Sequence, residues 1–145
     1  ELLPLVQTTP VKSLLPIAIV LALATVYGLW YQRSRGKVVV KSDKGLITQE
    51  MIGAALGARV TLVQFSSAFC SPCRATRMLL EDVTAEMSEV AYVEIDAEAN
   101  LELVRTLDIR STPTTLFLDR TGHEVGRAMG APKRDQVLSA ISAIR

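Results

Sequence analysis

Val63-Gln64-Phe65-Ser66-Ser67-Ala68-Phe69-Cys70-Ser71-Pro72-Cys73-Arg74 is the stretch on which the reading of this chain turns. The run that enters it, Val60 to Phe65, is rich in branched and aromatic residues and is bounded by Gly57 and Ser66-Ser67. It reads as a buried strand. Beyond it, Met78, Leu79, Val83 and Met87 recur at helical spacing, and Pro72 is tolerated in a helix's first turn. The cysteines therefore stand on a strand–loop–helix junction. Cysteines spaced as Cys70-Ser71-Pro72-Cys73 at a helix start are close enough to close a small disulfide ring. The first of them faces the helix N-terminus, where peptide dipoles favour a thiolate, the nucleophile of thiol–disulfide exchange. A disulfide closing so short a loop restricts the unfolded chain little, so stability is a poor reason for it.

Working outward, composition excludes several classes. Two cysteines and one histidine, His123, cannot supply a four-ligand zinc site or a disulfide framework. His123 lies in Thr121-Gly122-His123-Glu124, which reads as a surface turn. The net charge of +1 hides an asymmetry. Arg33, Arg35, Lys37, Lys41 and Lys44 face a single acid, Asp43, whereas the chain beyond Lys44 has ten bases and thirteen acids. No basic stripe with interleaved aromatics marks a nucleic-acid surface.

A mean hydropathy of +0.28 is high for a domain of this size, and one segment explains it. From Ser13 to Gln32 no residue is charged, and Lys12 and Arg33 bracket the run. At 1.5 Å per residue it spans about 30 Å, a bilayer's hydrocarbon thickness. Pro16 falls in the first turn, and Trp30 and Tyr31 sit at the edge where amphipathic aromatics settle. Residues 13–32 read as one transmembrane helix after an N-terminal tail, 1–12. A cleaved signal peptide is the rival, since Ala22-Leu23-Ala24 resembles a cleavage site; the apolar run, however, continues to Tyr31. The basic segment 33–44 then predicts that the following domain faces the cytoplasm.

Further elements follow in order. Val38-Val39-Val40 suggests a strand within Gly36–Lys44, and Leu46–Leu56 a short helix capped by Thr48 with Met51, Ile52, Ala55 and Leu56 on one face. Val90–Ile95 reads as a second buried strand, and Leu101–Leu107 as a helix with Leu101, Val104 and Leu107 inward. Thr114–Leu118 and Glu124–Ala128 form a hairpin, and Asp135–Ile144 a final helix with Val137, Leu138, Ile141 and Ile144 inward. The order β-α-β-α-β-α-β-β-α predicts an α/β fold with a mixed sheet flanked by helices on both faces.

These residues resemble the thioredoxin family. The segment Val63–Arg74 is similar to its active site, Ile95-Asp96 to the end of its third strand, Ser111-Thr112-Pro113-Thr114 to its cis-proline loop, and Gly130-Ala131 to the glycine turn before its last helix. The resemblance covers residues 36–145 and implies a thioredoxin fold behind the N-terminal transmembrane helix. It also implies roles. Cys70 would attack a substrate disulfide, Cys73 would resolve the mixed disulfide, and the two would form the redox-active disulfide. Thr112 and Pro113, with Phe69 and Pro72, would contact substrate, the Thr112 backbone pairing with an extended segment as in strand addition. No cofactor and no metal are implied.

Departures from the family accompany these matches. Gln64 stands where the family commonly has a buried acid assigned to deprotonating the resolving thiol, and Tyr92 stands where a lysine is common. Phe69 and Ser66 replace tryptophans. Joint loss of the acid and the base is physically coherent, because either charge buried alone is costly. The implied protein is a membrane-tethered thiol–disulfide oxidoreductase of the bacterial cell membrane. Its partners would be protein disulfides near the membrane, and the lipid bilayer through residues 13–32. Two alternatives stand beside it: an extracytoplasmic oxidoreductase of the cytochrome c maturation type, and a non-enzymatic docking subunit of a membrane complex.

Overall fold

A computed structural model of the chain describes residues 10–34, 37–39 and 45–145. It divides into two units, Glu1–Ser34 and Arg35–Arg145. In the first, helix α1 runs from Pro10 to Ser34, with Pro16 inside it. Its stretch Leu14–Ser34 is long and apolar enough to cross a membrane, and none of it is buried against protein. The hydroxyls on this helix turn back onto its own carbonyls: Thr25 Oγ1 donates to Leu21 O at 2.7 Å and Ser34 Oγ to Trp30 O at 2.9 Å. That arrangement satisfies these two hydroxyls without water. Tyr27, Trp30 and Tyr31 gather near its C-terminal end, with ring centroids 6.2 and 6.1 Å from Tyr27.

The second unit comprises β1 (Val38–Val39), α2 (Gln49–Ile52), β2 (Val60–Ser66), α3 (Ser71–Ala85), β3 (Val90–Asp96), α4 (Leu101–Thr106), β4 (Thr114–Asp119), β5 (Glu124–Met129) and α5 (Arg134–Ala143). The strands form one mixed sheet in the order β1-β5-β4-β2-β3. Strand β2 pairs in parallel with β3, from Val60 opposite Val90 to Ser66 opposite Asp96, and antiparallel with β4. The expected order of elements and the helix-flanked mixed sheet are both present. Of the expected Val38–Val40 strand, Val40 lies outside the described residues.

Every residue of β2 is buried, and its alternation sorts side chains onto two cores. Val60 and Leu62 pack with Phe117, Leu80, Val83, Val137 and Ile141 under α3 and α5. Val63 and Phe65 pack with Leu116, Leu118, Ile95, Ile52 and Leu107 on the other face. The inward assignment of Leu101 is corrected, and Met78, placed by the sequence only at helical spacing, faces outward. Met78 is 65% exposed, because the buried stripe of α3 is Cys73, Thr76, Leu80 and Val83, and a residue two positions from Leu80 points away from it. Leu101 is 56% exposed at the first position of α4, where Leu107 supplies the burial instead. Helix α2 is also shorter than expected. Thr48 caps it as predicted, its Oγ1 accepting from Met51 N at 3.4 Å, but Gly53 ends it in the left-handed region at φ 67°.

Arg59 ties the last helix to the sheet, donating to Ile141 O at 2.8 Å, Ile144 O at 3.1 Å and Glu89 Oε1 at 2.7 Å. At the opposite end, Gly122 has φ 91°, and a Cβ there would lie 2.3 Å from Ile47 O, whose own N–H donates to Gly122 O at 2.9 Å. Gly53 shares the positive φ but has open space around it. Gly53→Ala is therefore expected to cost about 1 kcal/mol and Gly122→Ala about 3 kcal/mol, both read as shifts of the denaturant midpoint; equal losses would mean that the Ile47 contact contributes nothing.

Candidate active site

Strand β2 ends at Ser66, and four residues later Cys70 is the N-cap of α3. Its Sγ accepts from Cys73 N at 3.1 Å and its carbonyl from the same N–H at 3.2 Å, so the thiol position is held against the first turn of the helix. Cys70 and Cys73 are joined by a disulfide, S–S 2.04 Å and Cα–Cα 5.2 Å. The two sulfurs differ in access. Cys73 is 2% exposed, Cys70 is only partly buried, and Ser71 and Pro72 are exposed. Phe69 is 99% exposed immediately ahead of them.

The second loop reaches the same corner through the sheet. Phe65 pairs with Thr114 across β2 and β4, which sets Thr112 and Pro113 next to the segment that follows β2. Ser67 and Thr112 join their hydroxyls at 3.1 Å, and the Thr112–Pro113 peptide is cis. Gly130 N donates to Pro113 O at 2.8 Å, and Thr114 Oγ1 to Ser111 O at 2.7 Å. A cleft of about 340 Å³ opens at the C-terminal ends of β2 and β3, lined by Ser66, Ser67, Ala68, Arg77, Glu94 and Asp96.

Beneath α3 lies Gln64, fully buried. Its Nε2 donates to Cys73 O at 2.9 Å and to Ser66 Oγ at 3.0 Å, and its Oε1 accepts from Tyr92 Oη at 2.7 Å. The Cys73 carbonyl can only accept, so it fixes the amide with its nitrogen toward Cys73, and the phenol then donates to the remaining amide oxygen. Burial, and then the nearby Glu94 carboxylate, raise the Tyr92 pKa above its ordinary value. Thr115, opposite Gln64 in β4, is fully buried, and its Oγ1 has no hydrogen-bond partner among the described residues. The redox pair thus rests on neutral polar groups rather than on a carboxylate.

Comparison with known proteins agrees with this geometry. The Thioredoxin family model matches residues 47–143. The chain belongs to the thioredoxin family. It is 27% identical over 97 residues to the thioredoxin of Chlamydia trachomatis, covering 67% of this chain and 94% of that protein. It is 30% identical over 87 residues to thioredoxin H2-1 of Oryza sativa subsp. japonica, covering 60% of this chain and 62% of that protein. Among solved structures, Fasciola hepatica thioredoxin matches with TM-score 0.55 and 27% identity over 61% of this chain and 84% of that one. Thioredoxin NaTrxh from Nicotiana alata gives the same TM-score and identity over 61% and 75%.

As a thioredoxin-family protein with its cysteine pair at disulfide distance, the chain is a thiol–disulfide oxidoreductase. The structure brings Cys70, Cys73, Phe69, Pro72, Thr112 and Pro113 to one corner of the sheet. His123 is elsewhere, exposed in the β4–β5 turn with its Nδ1 2.8 Å from Thr121 Oγ1. Among the described residues no group of three or more His, Cys, Asp or Glu side chains gathers as a metal site. Sequence reasoning found Gln64 and Tyr92 as departures but not their bond. The parity of β2 and β3 carries that signal, since both residues fall on the α3 side.

Two substitutions separate satisfied from unsatisfied burial. Tyr92→Phe leaves Gln64 Oε1 without its donor and is expected to lower the stability of the oxidised protein by about 1–3 kcal/mol. Thr115→Val removes a hydroxyl with no hydrogen-bond partner among the described residues and is expected to be neutral or stabilising. Denaturant unfolding measures both. The raised phenol pKa means that the folded state holds this proton more tightly than the unfolded chain. That contribution is complete below about pH 10 and is lost as pH rises through the folded value. The stability gap between the parent protein and Tyr92→Phe should therefore shrink on titration above pH 10; a gap that stays constant would contradict the assignment.

Proposed function

We propose that this chain is a membrane-tethered reductant in which Cys70 is the nucleophile and Cys73 the resolving thiol. The observation that carries the roles is the difference in access: an approaching disulfide meets Cys70 at the head of α3, while Cys73 lies behind it, 2% exposed. In the reduced protein the Cys70 thiolate attacks one sulfur of the substrate disulfide, and the other sulfur leaves as a thiolate that takes up a proton. Cys73 loses its proton and attacks Cys70 Sγ. The Cys70–Cys73 disulfide forms, the second substrate thiol departs, and two electrons have passed to the substrate. Thr112 and Pro113 would receive the extended substrate segment, with Phe69 and Pro72 flanking it.

Gln64 cannot take the Cys73 proton as a carboxylate does, because a neutral amide is not a base; it only bonds Cys73 O, Ser66 Oγ and Tyr92 Oη. Resolution then depends on solvent or on the departing thiolate, and is slower than in a thioredoxin with an acid at this position. Gln64→Asp is expected to raise turnover of a protein disulfide about tenfold, short of the hundredfold or more from a fully placed general base. An unchanged rate and pH profile would discard this account.

The tether rests on helix α1, whose Leu14–Ser34 stretch meets the length and composition of a span. The five bases from Arg33 to Lys44 favour a cytoplasmic domain held against anionic lipid. Confinement to the bilayer raises the effective concentration of membrane-proximal partners without new contacts. A Cys73→Ser variant is expected to accumulate mixed disulfides through Cys70, enriched in membrane-associated proteins. An impermeant thiol reagent should leave Cys70 unlabelled in intact cells. Labelling from outside would place the domain on the extracytoplasmic side, and release of the mature chain from the membrane would mark the apolar segment as a signal sequence.

A further inference from the structure

Glu124 and Arg127 form the most buried ion pair described in the protein, with side-chain exposures of 0% and 13%. Both lie on β5, far in sequence from the cysteines. The contact is bidentate: Arg127 Nε donates to Glu124 Oε1 at 2.5 Å and Nη2 to Oε2 at 2.8 Å. The guanidinium has donors to spare, and they leave the strand. Nη2 donates to Leu107 O at 3.1 Å and Nη1 to Asp108 O at 3.3 Å.

Leu107 is the C-cap of α4, and Asp108 stands in the left-handed region at φ 53°, where glycine is the usual residue. Ile109 N donates to Val104 O at 2.8 Å and Asp108 N to Arg105 O at 3.2 Å, which completes a Schellman closure of the helix. The chain then has three residues, Ile109 to Ser111, before Thr112 and Pro113. A carbonyl at a helix C-terminus carries partial negative charge, so a fixed guanidinium is a suitable anchor for it. Three positions on, just past the end of β5, Gly130 N holds the far side of the same loop through Pro113 O at 2.8 Å. Strand β5 and the residue that follows it therefore grip the loop at both ends.

We propose that Arg127, oriented by the buried Glu124 carboxylate, is a positioning residue that sets the loop carrying Thr112 and Pro113 at the height substrate binding requires. The inference rests on the reading that substrate pairs with this loop. Arg127 touches no reacting atom, so its loss acts on recognition of an extended protein substrate and leaves the chemistry of the cysteines alone.

Arg127→Lys keeps the charge facing Glu124 but replaces the planar fork with one ammonium that cannot hold the carboxylate and two carbonyls together. The full-length variant is expected to show a KM for reduced-enzyme turnover of insulin about fivefold or more above the parent, with kcat unchanged. Alkylation of reduced Cys70 by iodoacetamide should stay within about twofold of the parent. If Arg127→Lys does not fold, Glu124→Leu/Arg127→Met removes the buried pair as a unit and has the same expected kinetics. An unchanged KM, or an equal loss in both reactions, overturns the proposal. The underlying reading has its own readout, hydrogen exchange at the Thr112 amide in the adduct of insulin with Cys73→Ser. A protected amide with an unmoved KM refutes only the role of Arg127, whereas an amide that gains no protection refutes substrate pairing with the loop and the proposal with it.

Discussion

Strand β2 has hydrogen-bonded neighbours on both edges and a hydrophobic core on each face, so whatever it carries must be satisfied without water. Most of its residues meet that condition by being apolar. Gln64 meets it through three hydrogen bonds, to Cys73, Ser66 and Tyr92. A charge at the same place would need an opposite charge beside it. The amide and phenol are a neutral solution to that requirement, and they bear on the redox site because one of the three bonds ends on the backbone of Cys73. The requirement that stabilises the sheet thus also decides which proton acceptors the buried thiol has.

The site is assembled at the end of this strand from segments that the sheet brings together. Helix α3 supplies the two sulfurs and sets their access, one at its head and one behind. The Thr112–Pro113 loop arrives on β4, adjacent to β2, and is fastened to the cysteine segment by the Ser67–Thr112 contact. One place further out, Arg127 on strand β5 and Gly130 just past its end fix the two ends of that loop. Precision at the reacting corner is therefore distributed across β2, β4 and β5, each holding a different part.

Much of this was legible beforehand because its signals are local. The buried run ahead of Cys70, Pro72 in the first helical turn, the Thr48 cap and the hairpin turn before Glu124 each depend on a few neighbouring residues. Errors arose where facing depends on neighbours distant in sequence. Met78 fits a helical repeat but not the stripe chosen by the sheet, and Leu101 begins its helix on the solvent side. Helix α2 stops at Gly53 because that glycine adopts φ 67°, whereas Gly28 lies within α1. Composition alone does not distinguish the two.

By itself, the sequence determined the order of elements, the reactive cysteine pair and the apolar segment ahead of the domain, because periodicity, turn chemistry and hydrophobic length are written in consecutive residues. Only the tertiary structure decided that Gln64 bonds Tyr92, that the Thr115 hydroxyl is buried with no partner among the described residues and that Arg127 grips the end of α4. Those are relations between residues on different elements, 28 and 20 positions apart for the two bonds. Strand pairing and packing place them within hydrogen-bonding distance, and no local pattern in the chain encodes that distance.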